Sequence, residues 1–132
     1  MIVTGDVFSG LGEATRYISM EGYTRQFRSK LGYCPYPGTL NLRLVSEIDL
    51  KVRKYLITTP GVRIDGFSDG KRTFGGAKCF TGRVNEKTEA AVLLIERTSH
   101  DESVIEIISP VNLRDKLGLN DGSRIIMTID TK

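Results

Sequence analysis

Residues 36–44 read YPGTLNLRL, a turn-forming Tyr-Pro-Gly followed by leucines at every second position. This alternation is typical of a β-strand with one buried face. Thr39 and Asn41 lie between the leucines, so they project from the opposite face as a close pair of oxygen-bearing side chains. The pair either faces solvent or supplies neutral oxygens to a cation such as Mg²⁺, whose other positions would be filled by phosphate oxygens and water.

The same criteria predict strands along most of the chain. The predicted strands are residues 2–8, 16–20, 39–44, 61–65, 72–84, 89–95, 104–108 and 124–129. The turn-forming GFSDGK between residues 61–65 and 72–84 predicts a hairpin. Because so many short strands would otherwise expose edges, we expect a mainly β fold closed into a barrel, with an open sheet covered by helices as the alternative.

Two short helices are predicted beside the strands. Tyr23, Phe27 and Leu31 recur every four residues, and Gly32 follows where a helix can end in a left-handed residue. The second helix is SPVNLRDKLG at residues 109–118, with Ser109 as cap, Pro110 first and Gly118 at the end. Residues 46–54 fit either a short helix or a loop.

Composition indicates one domain over residues 1–132, because 132 residues with 39% hydrophobic content can bury a core without disulfides. Cys34 and Cys79 belong to no CxxC or Cys/His cluster, which argues against zinc. The longest apolar run, residues 90–95, is too short to span a membrane, and the N-terminus shows no basic region followed by a hydrophobic segment. A cytoplasmic protein that binds no membrane is expected.

Positive charge is concentrated in the first part of the chain. Residues 1–80 carry 12 Lys and Arg against 7 Asp and Glu, whereas residues 81–132 carry 7 against 9. An anionic ligand is therefore expected to bind the first part. No basic run interleaved with aromatics is present, so nucleic acid is not the expected ligand.

Four further stretches contain residues suited to binding or catalysis. SGLGEAT, residues 9–15, can turn tightly and expose its amides as an anion nest, or form a plain β-turn. Glu106 lies in an apolar strand and either faces solvent or bonds a ligand hydroxyl or ring N–H. Asn112 and Arg114, on the helix predicted to start at Ser109, either assist an anion or lie on a surface helix whose Arg114 pairs with a nearby acid. His100 is interpreted as a loop residue without a catalytic partner.

Three of these stretches together resemble a known family. SGLGEATRY after the first strand, YPGTLNL and SVIEIISPVNLRDKLGL occur in the order and spacing of the archaeal CTP-dependent riboflavin kinases, from about Gly5 to Met127. The resemblance implies a six-stranded cradle-loop (RIFT-type) β-barrel. It also implies transfer of the γ-phosphate of CTP to the 5′-hydroxyl of riboflavin, giving FMN and CDP, by a protein we expect to be monomeric. Some family members carry an N-terminal winged-helix domain, which we do not expect here.

The resemblance also implies roles for individual residues. Thr39 and Asn41 match the Mg²⁺ ligands, and Thr98 and Glu106 match the flavin contacts. The positions that match nucleotide contacts are Gly10, Leu11, Gly12, Glu13, Ala14, Thr15, Val111, Asn112, Leu113 and Arg114. Ala14 replaces a family glycine, which would cost about 1 kcal/mol or more if φ had to be positive there.

Phosphoryl transfer needs mainly alignment and charge compensation, so an amide nest with Mg²⁺ can supply much of the catalysis, and no covalent nucleophile is needed. Whether Glu106 accepts the proton of the 5′-hydroxyl is a hypothesis based on its apolar setting, which would raise its pKa. The alternatives are a non-catalytic DNA-binding barrel of the swapped-hairpin regulator type, suggested by GLNDGSRIIMTI at residues 118–129, and a carrier that binds FMN without making it.

Overall fold

The computed structural model describes residues 1–10, 13–98 and 100–130. Strands and helices follow in the order β1 Ile2–Phe8, α1 Glu13–Ile18, α2 Glu21–Leu31, β2 Leu40–Arg43, α3 Glu47–Thr58, β3 Val62–Ile64, β4 Phe67–Ser68, β5 Thr73–Phe74, β6 Ala77–Val84, β7 Thr88–Ile95, β8 Val104–Ile108, α4 Leu113–Leu117 and β9 Arg124–Ile129.

Six antiparallel strands close into a barrel in the order β6, β7, β8, β2, β1, β9 and back to β6. The last pairing, in which Gly82 lies opposite Ile129, completes the ring. The other half of the same edge of β6 pairs with β3 instead, where Val62 lies opposite Cys79. The predicted closed barrel is thus confirmed, and closure leaves no free edge among its six strands.

Along each barrel strand, every second side chain points into the interior of the barrel. Leu40, Leu42 and Leu44 of the opening motif all point into this core. Burying each such side chain contributes about 1.5–3 kcal/mol. The alternation therefore fixes the register of β2 and forces Thr39 and Asn41 onto the outer face of the barrel wall.

A second apolar cluster lies on that outer face. Phe27 of α2 is buried there, and Tyr23 and Leu31 pack around it, as the predicted helical stripe requires. The facing residues come mainly from β6 and β7, namely Ala77, Cys79, Ala91 and Leu93. The helix ends at Gly32 with φ of +87°, which confirms the predicted left-handed stop.

The helices are more numerous than predicted. Residues 16–20 were expected to form a strand, but Arg16 to Ile18 belong to α1. The ambiguous stretch 46–54 lies mostly in α3, which Ser46 caps by accepting the Asp49 amide at 3.1 Å. Asp49 in turn accepts the Thr4 amide at 3.0 Å and so fixes α3 to β1.

The last helix is shorter than predicted. It begins at Leu113, not at Ser109, because the Asn112 side chain caps it by accepting the Asp115 amide at 3.2 Å. Gly118 ends it with φ of +64°, as expected. Among the described residues, no helix combines the length and the apolar character needed to cross a membrane.

Candidate active site

A cavity of about 440 Å³ lies against the outer face of the barrel wall. Its floor comes from the β2, β7 and β8 strands, and its sides come from the chain after β1, the helices α1 and α2, the β4–β5 hairpin and the loop after β7. The residues that line it are Phe8, Ser9, Gly10, Tyr17, Ile18, Tyr23, Phe27, Thr39, Asn41, Ile64, Arg72, Thr73, Phe74, Gly75, Gly76, Ala77, Leu93, Ile95, Arg97, Thr98, His100, Glu106 and Arg114.

Gly10 and Asn41 are in direct contact in this cavity. The pairing of β1 with β2 sets Phe8 opposite Asn41, so the chain leaving β1 passes over the Asn41 side chain. A Cβ atom at Gly10 would lie 2.4 Å from Asn41 Nδ2, so only glycine fits without displacing the amide. Asn41 is 8% exposed, which makes the solvent-facing alternative wrong for this residue.

Thr39 and Glu106 form the next contact. Thr39 Oγ1 donates a hydrogen bond to Glu106 Oε1 at 2.8 Å, and the register of β2 and β8 sets Asn41 directly opposite Glu106. Glu106 is 7% exposed, so it does not face solvent either. Burial raises the pKa of the Glu106 carboxyl, while the Thr39 hydrogen bond and the nearby His100 act in the opposite direction.

The two neutral oxygens fit a hard cation. Asn41 Oδ1 is buried and has no hydrogen-bond partner in the described part of the chain, which is costly unless a ligand satisfies it. Because the Thr39 hydroxyl gives its proton to Glu106, its lone pairs remain available. Within residues 1–10, 13–98 and 100–130, no group of three His, Cys, Asp or Glu side chains forms an alternative metal centre.

The predicted nucleotide loop is only partly described. Gly10 lines the cavity, whereas Leu11 and Gly12 lie outside the described residues. Glu13, Ala14 and Thr15 belong to helix α1, so the backbone at Ala14 does not need positive φ and the expected strain does not arise. Thr15 lies beside the opening motif, since a Cβ at Gly38 would come within 3.1 Å of its hydroxyl oxygen.

Of the second predicted nucleotide segment, Arg114 alone lines the cavity. Its Nη2 donates to Asp121 Oδ1 at 2.8 Å and lies 3.4 Å from Ser9 Oγ. Leu113 packs in the barrel core, the Asn112 side chain caps α4, and Val111 is exposed. The polar end of the cavity is the name used below for six lining residues: Ser9, Gly10, Thr39, Asn41, Glu106 and Arg114.

The loop after β7 adds two side chains. Thr98, which the family resemblance assigns to flavin contact, lines the cavity, and its Oγ1 accepts the His100 amide at 3.1 Å. His100 lies in a loop as predicted, but it also lines the cavity and packs edge-on against Phe8 with 5.9 Å between ring centroids. Its polar sequence neighbours gave no sign of this role.

Aromatic side chains form the other part of the wall. Phe74 stacks on Phe67 with ring centroids 4.9 Å apart, and Phe67 meets Tyr23 edge-on at 4.8 Å. Tyr17 lies 6.1 Å from Phe74, and the Arg72 guanidinium lies 4.9 Å from the Phe74 centroid. Tyr17, Tyr23, Arg72 and Phe74 line the cavity and are called its aromatic end, which suits a flat ring system.

Sequence reasoning missed the aromatic end. The β4–β5 hairpin that carries Phe74 is fastened to the rest of the protein by the Tyr23 hydroxyl, which donates to the Gly75 carbonyl at 2.6 Å. Arg97 Nη1 donates to the Thr73 carbonyl at 3.1 Å. The stripe containing Tyr23 indicated only a helix. Phe67 within GFSDGK and Phe74 shortly after it were the one usable sign of a second apolar surface.

Comparisons with known proteins show the family of the chain. Residues 7–129 match the family model named CTP-dep_RFKase, for CTP-dependent riboflavin kinase, which is described as "Domain of unknown function DUF120". Riboflavin kinase of Methanosarcina barkeri is 47% identical over 125 residues, covering 95% of this chain and 55% of the relative. Riboflavin kinase of Archaeoglobus fulgidus is 51% identical over 120 residues, covering 91% and 51%.

Riboflavin kinase of Pyrobaculum arsenaticum is 52% identical over 120 residues, covering 91% of this chain and 56% of the relative. The chain thus spans about half the length of the curated relatives it matches. Because the family model covers nearly the whole sequence, the chain belongs to the CTP-dependent riboflavin kinase domain family that its motifs resemble.

Proposed function

We propose that the protein is a CTP-dependent riboflavin kinase, which transfers the γ-phosphate of CTP to the 5′-hydroxyl of riboflavin and releases FMN and CDP. The observation that carries the proposal is the contact of Gly10 with Asn41 in a cavity that also contains Thr39 and Glu106. This contact supports the proposal because it brings the turn assigned to phosphate, the two oxygens assigned to Mg²⁺ and the buried Glu106 carboxylate into one cavity.

The two ends of the cavity suit the two parts of the reaction. The aromatic end offers ring faces against which isoalloxazine could stack, and the polar end lies where the ribityl 5′-hydroxyl would meet a triphosphate. Thr39 and Asn41 would hold Mg²⁺, which when bound would neutralise charge on the phosphate oxygens. Gly10 and Arg114 would contact the phosphates through a backbone amide and a guanidinium.

Glu106 is the proposed general base. In this reaction the 5′-oxygen forms a bond to the γ-phosphorus, the bond to the β,γ-bridging oxygen breaks, and CDP leaves with that oxygen. The hydroxyl proton passes to a Glu106 carboxylate oxygen, which the Thr39 hydrogen bond orients from 2.8 Å away. Glu106→Gln is therefore expected to lower kcat about 100-fold while leaving the Kd for riboflavin unchanged. Full turnover by this variant would exclude the base role.

The activity itself is tested by incubating the protein with riboflavin, Mg²⁺ and each of CTP, ATP, GTP and UTP, and following FMN by chromatography. FMN formation that depends on CTP is the expected result. Binding of FMN without turnover with any nucleotide would favour a flavin carrier instead. Salt-sensitive retention of DNA with neither property would favour the DNA-binding alternative.

A further inference from the structure

Asp121 connects the two segments that form the polar end of the cavity. It lies in the turn between α4 and β9, and its Oδ1 accepts a hydrogen bond from Arg114 Nη2 at 2.8 Å. The same carboxylate accepts from Ser9 Oγ, which lies 2.8 Å from Oδ1 and 2.9 Å from Oδ2. Ser9 and Arg114 both line the cavity, whereas Asp121 itself does not.

The turn that carries Asp121 is held firmly to the end of β1. The Gly122 amide donates to the Val7 carbonyl at 2.7 Å, and the Val7 amide donates to the Ser123 carbonyl at 2.8 Å. Gly122 has φ of +92°, a conformation that other residues rarely adopt. These two bonds fix the backbone beside Asp121 to Val7, and Ser9 and Gly10 follow Val7 by two and three residues.

We propose that Asp121 is a positioning residue for the nucleotide: together with Ser9, which it also holds, it orients Arg114 so that the free guanidinium donors face the phosphates. The inference rests on the proposed function. Arg114 has five N–H donors, and the bond to Asp121 occupies one of its terminal nitrogens, which leaves the others for a ligand. Fixing this long side chain in advance removes part of the entropy cost of binding.

A purely structural role does not explain the pair. The side chains of Arg114 and Asp121 are 34% and 59% exposed, and ion pairs this exposed add little to the stability of a fold. Electrostatic repulsion acts against positioning, because the Asp121 carboxylate repels a triphosphate bound beside it. Positioning and repulsion predict opposite signs when the carboxylate is removed.

The experiment measures the Kd for CDP in the presence of Mg²⁺ by calorimetry, which needs no turnover. Asp121→Ala is expected to weaken CDP binding about fivefold, with Asp121→Glu close to the wild type and the Kd for riboflavin unchanged. Asp121→Asn, which keeps the shape and one acceptor oxygen, is expected to weaken it about twofold. In turnover assays the KM for CTP should rise by the same factors with kcat nearly constant.

Coupling to Arg114 distinguishes positioning from a general loss of structure. In an Arg114→Met background, the further change Asp121→Ala should alter the Kd for CDP less than twofold. The matched control is Asp6→Ala, because Asp6 accepts from Arg124 at 3.0 Å in a comparable exposed pair outside the cavity. This control should leave the Kd for CDP unchanged.

Three results would overturn the inference: tighter CDP binding by Asp121→Asn, an unchanged Kd in Asp121→Ala, or a loss that persists in the Arg114→Met background. If the wild type makes FMN from CTP while one of these occurs, the proposed function stands and the positioning role fails. If the wild type binds CDP with the expected coupling but makes no FMN, only the proposed function fails.

Discussion

At the polar end of the cavity the side chains come largely from the barrel wall, whereas at the aromatic end they come from α1, α2 and the β4–β5 hairpin packed on it. Asn41 and Glu106 are held by the ladder pairing of β2 with β8, and Thr39, directly before β2, donates to Glu106 at 2.8 Å. Phe74 is held by stacking on Phe67 and by hydrogen bonds at neighbouring backbone carbonyls. The register therefore sets the position of Asn41 and Glu106 at the first end, whereas packing sets the position of Phe74 at the second.

The two ends of the cavity should therefore differ in how well they tolerate substitutions. A β-register cannot slip by one residue without moving every side chain to the other face, so the polar end has essentially one geometry. The hairpin strands β4 and β5 are two residues each, and so short a ladder adjusts more easily. Changes at the polar end should therefore act on kcat, and changes at the aromatic end on the KM for riboflavin and on stability.

The largest effect is expected from Thr39→Val combined with Asn41→Leu. The change removes both neutral oxygens from the wall, and Mg²⁺-dependent formation of FMN should fall by more than about 100-fold. The fold should remain, because the new side chains have similar shapes and Asn41 Oδ1, which has no partner among the described residues, is removed. Some stability should be lost, because the buried Glu106 loses its hydrogen bond from Thr39. Circular dichroism and thermal unfolding, with Thr88→Val as a control on β7 outside the cavity, check the fold. Undiminished turnover would remove both residues from the metal site.

Gly10→Ala should have the next largest effect. The added Cβ would lie 2.4 Å from Asn41 Nδ2, so the amide has to move by roughly 1 Å, a displacement that can cost up to about 100-fold in rate. The thermal midpoint should change little, since the displaced atom is the end of a side chain. Steady-state kinetics with CTP varied checks the effect, and a variant with normal kcat/KM would show that the contact does not constrain the site.

Gly22→Ala is the corresponding change at the aromatic end. In a helix this substitution normally gains about 1 kcal/mol, but here the Cβ would lie 2.6 Å from the Phe67 ring and overpack it, at about 1–3 kcal/mol. We expect lower stability and a KM for riboflavin raised several-fold, with the KM for CTP unchanged. Ser29→Ala, at an exposed position of the same helix, should show the helical gain alone. A stabilised Gly22→Ala protein would contradict the packing argument.

The contrast between the two ends also explains what could be predicted from the sequence. The leucine alternation around Thr39 and Asn41 is a local signal, and it correctly predicts that both residues lie on the face opposite the leucines. The contact of Tyr23 with Gly75 joins positions 52 residues apart and depends on how α2 crosses the wall, which no local pattern encodes. The same holds for Asp121 and Ser9, which are 112 residues apart.

Predictions from local sequence patterns were also wrong where one pattern fits two kinds of secondary structure. Residues 16–20 alternate well enough to suggest a strand, but helix α1 extends through Ile18 and buries that residue in the outer cluster. Ser109 and Pro110 are a good helix start in isolation. In the fold the Ser109 hydroxyl instead donates a hydrogen bond to the Glu89 carbonyl at 2.6 Å, and the Asn112 side chain caps the helix.

The smallest expected effect comes from Tyr23→Phe, compared with Tyr33→Phe. Tyr23 loses a 2.6 Å hydrogen bond to the Gly75 carbonyl, which should lower the free energy of unfolding by about 0.5–1.5 kcal/mol and raise the KM for riboflavin two- to threefold. Tyr33 has a buried hydroxyl without a partner among the described residues, so its removal should be neutral or stabilising. Urea unfolding of both variants measures the difference. An equal loss of stability in both variants would show that the Tyr23 hydroxyl does not fasten the hairpin. The aromatic end would then keep its shape without that bond, and the KM for riboflavin of Tyr23→Phe should stay at the wild-type value.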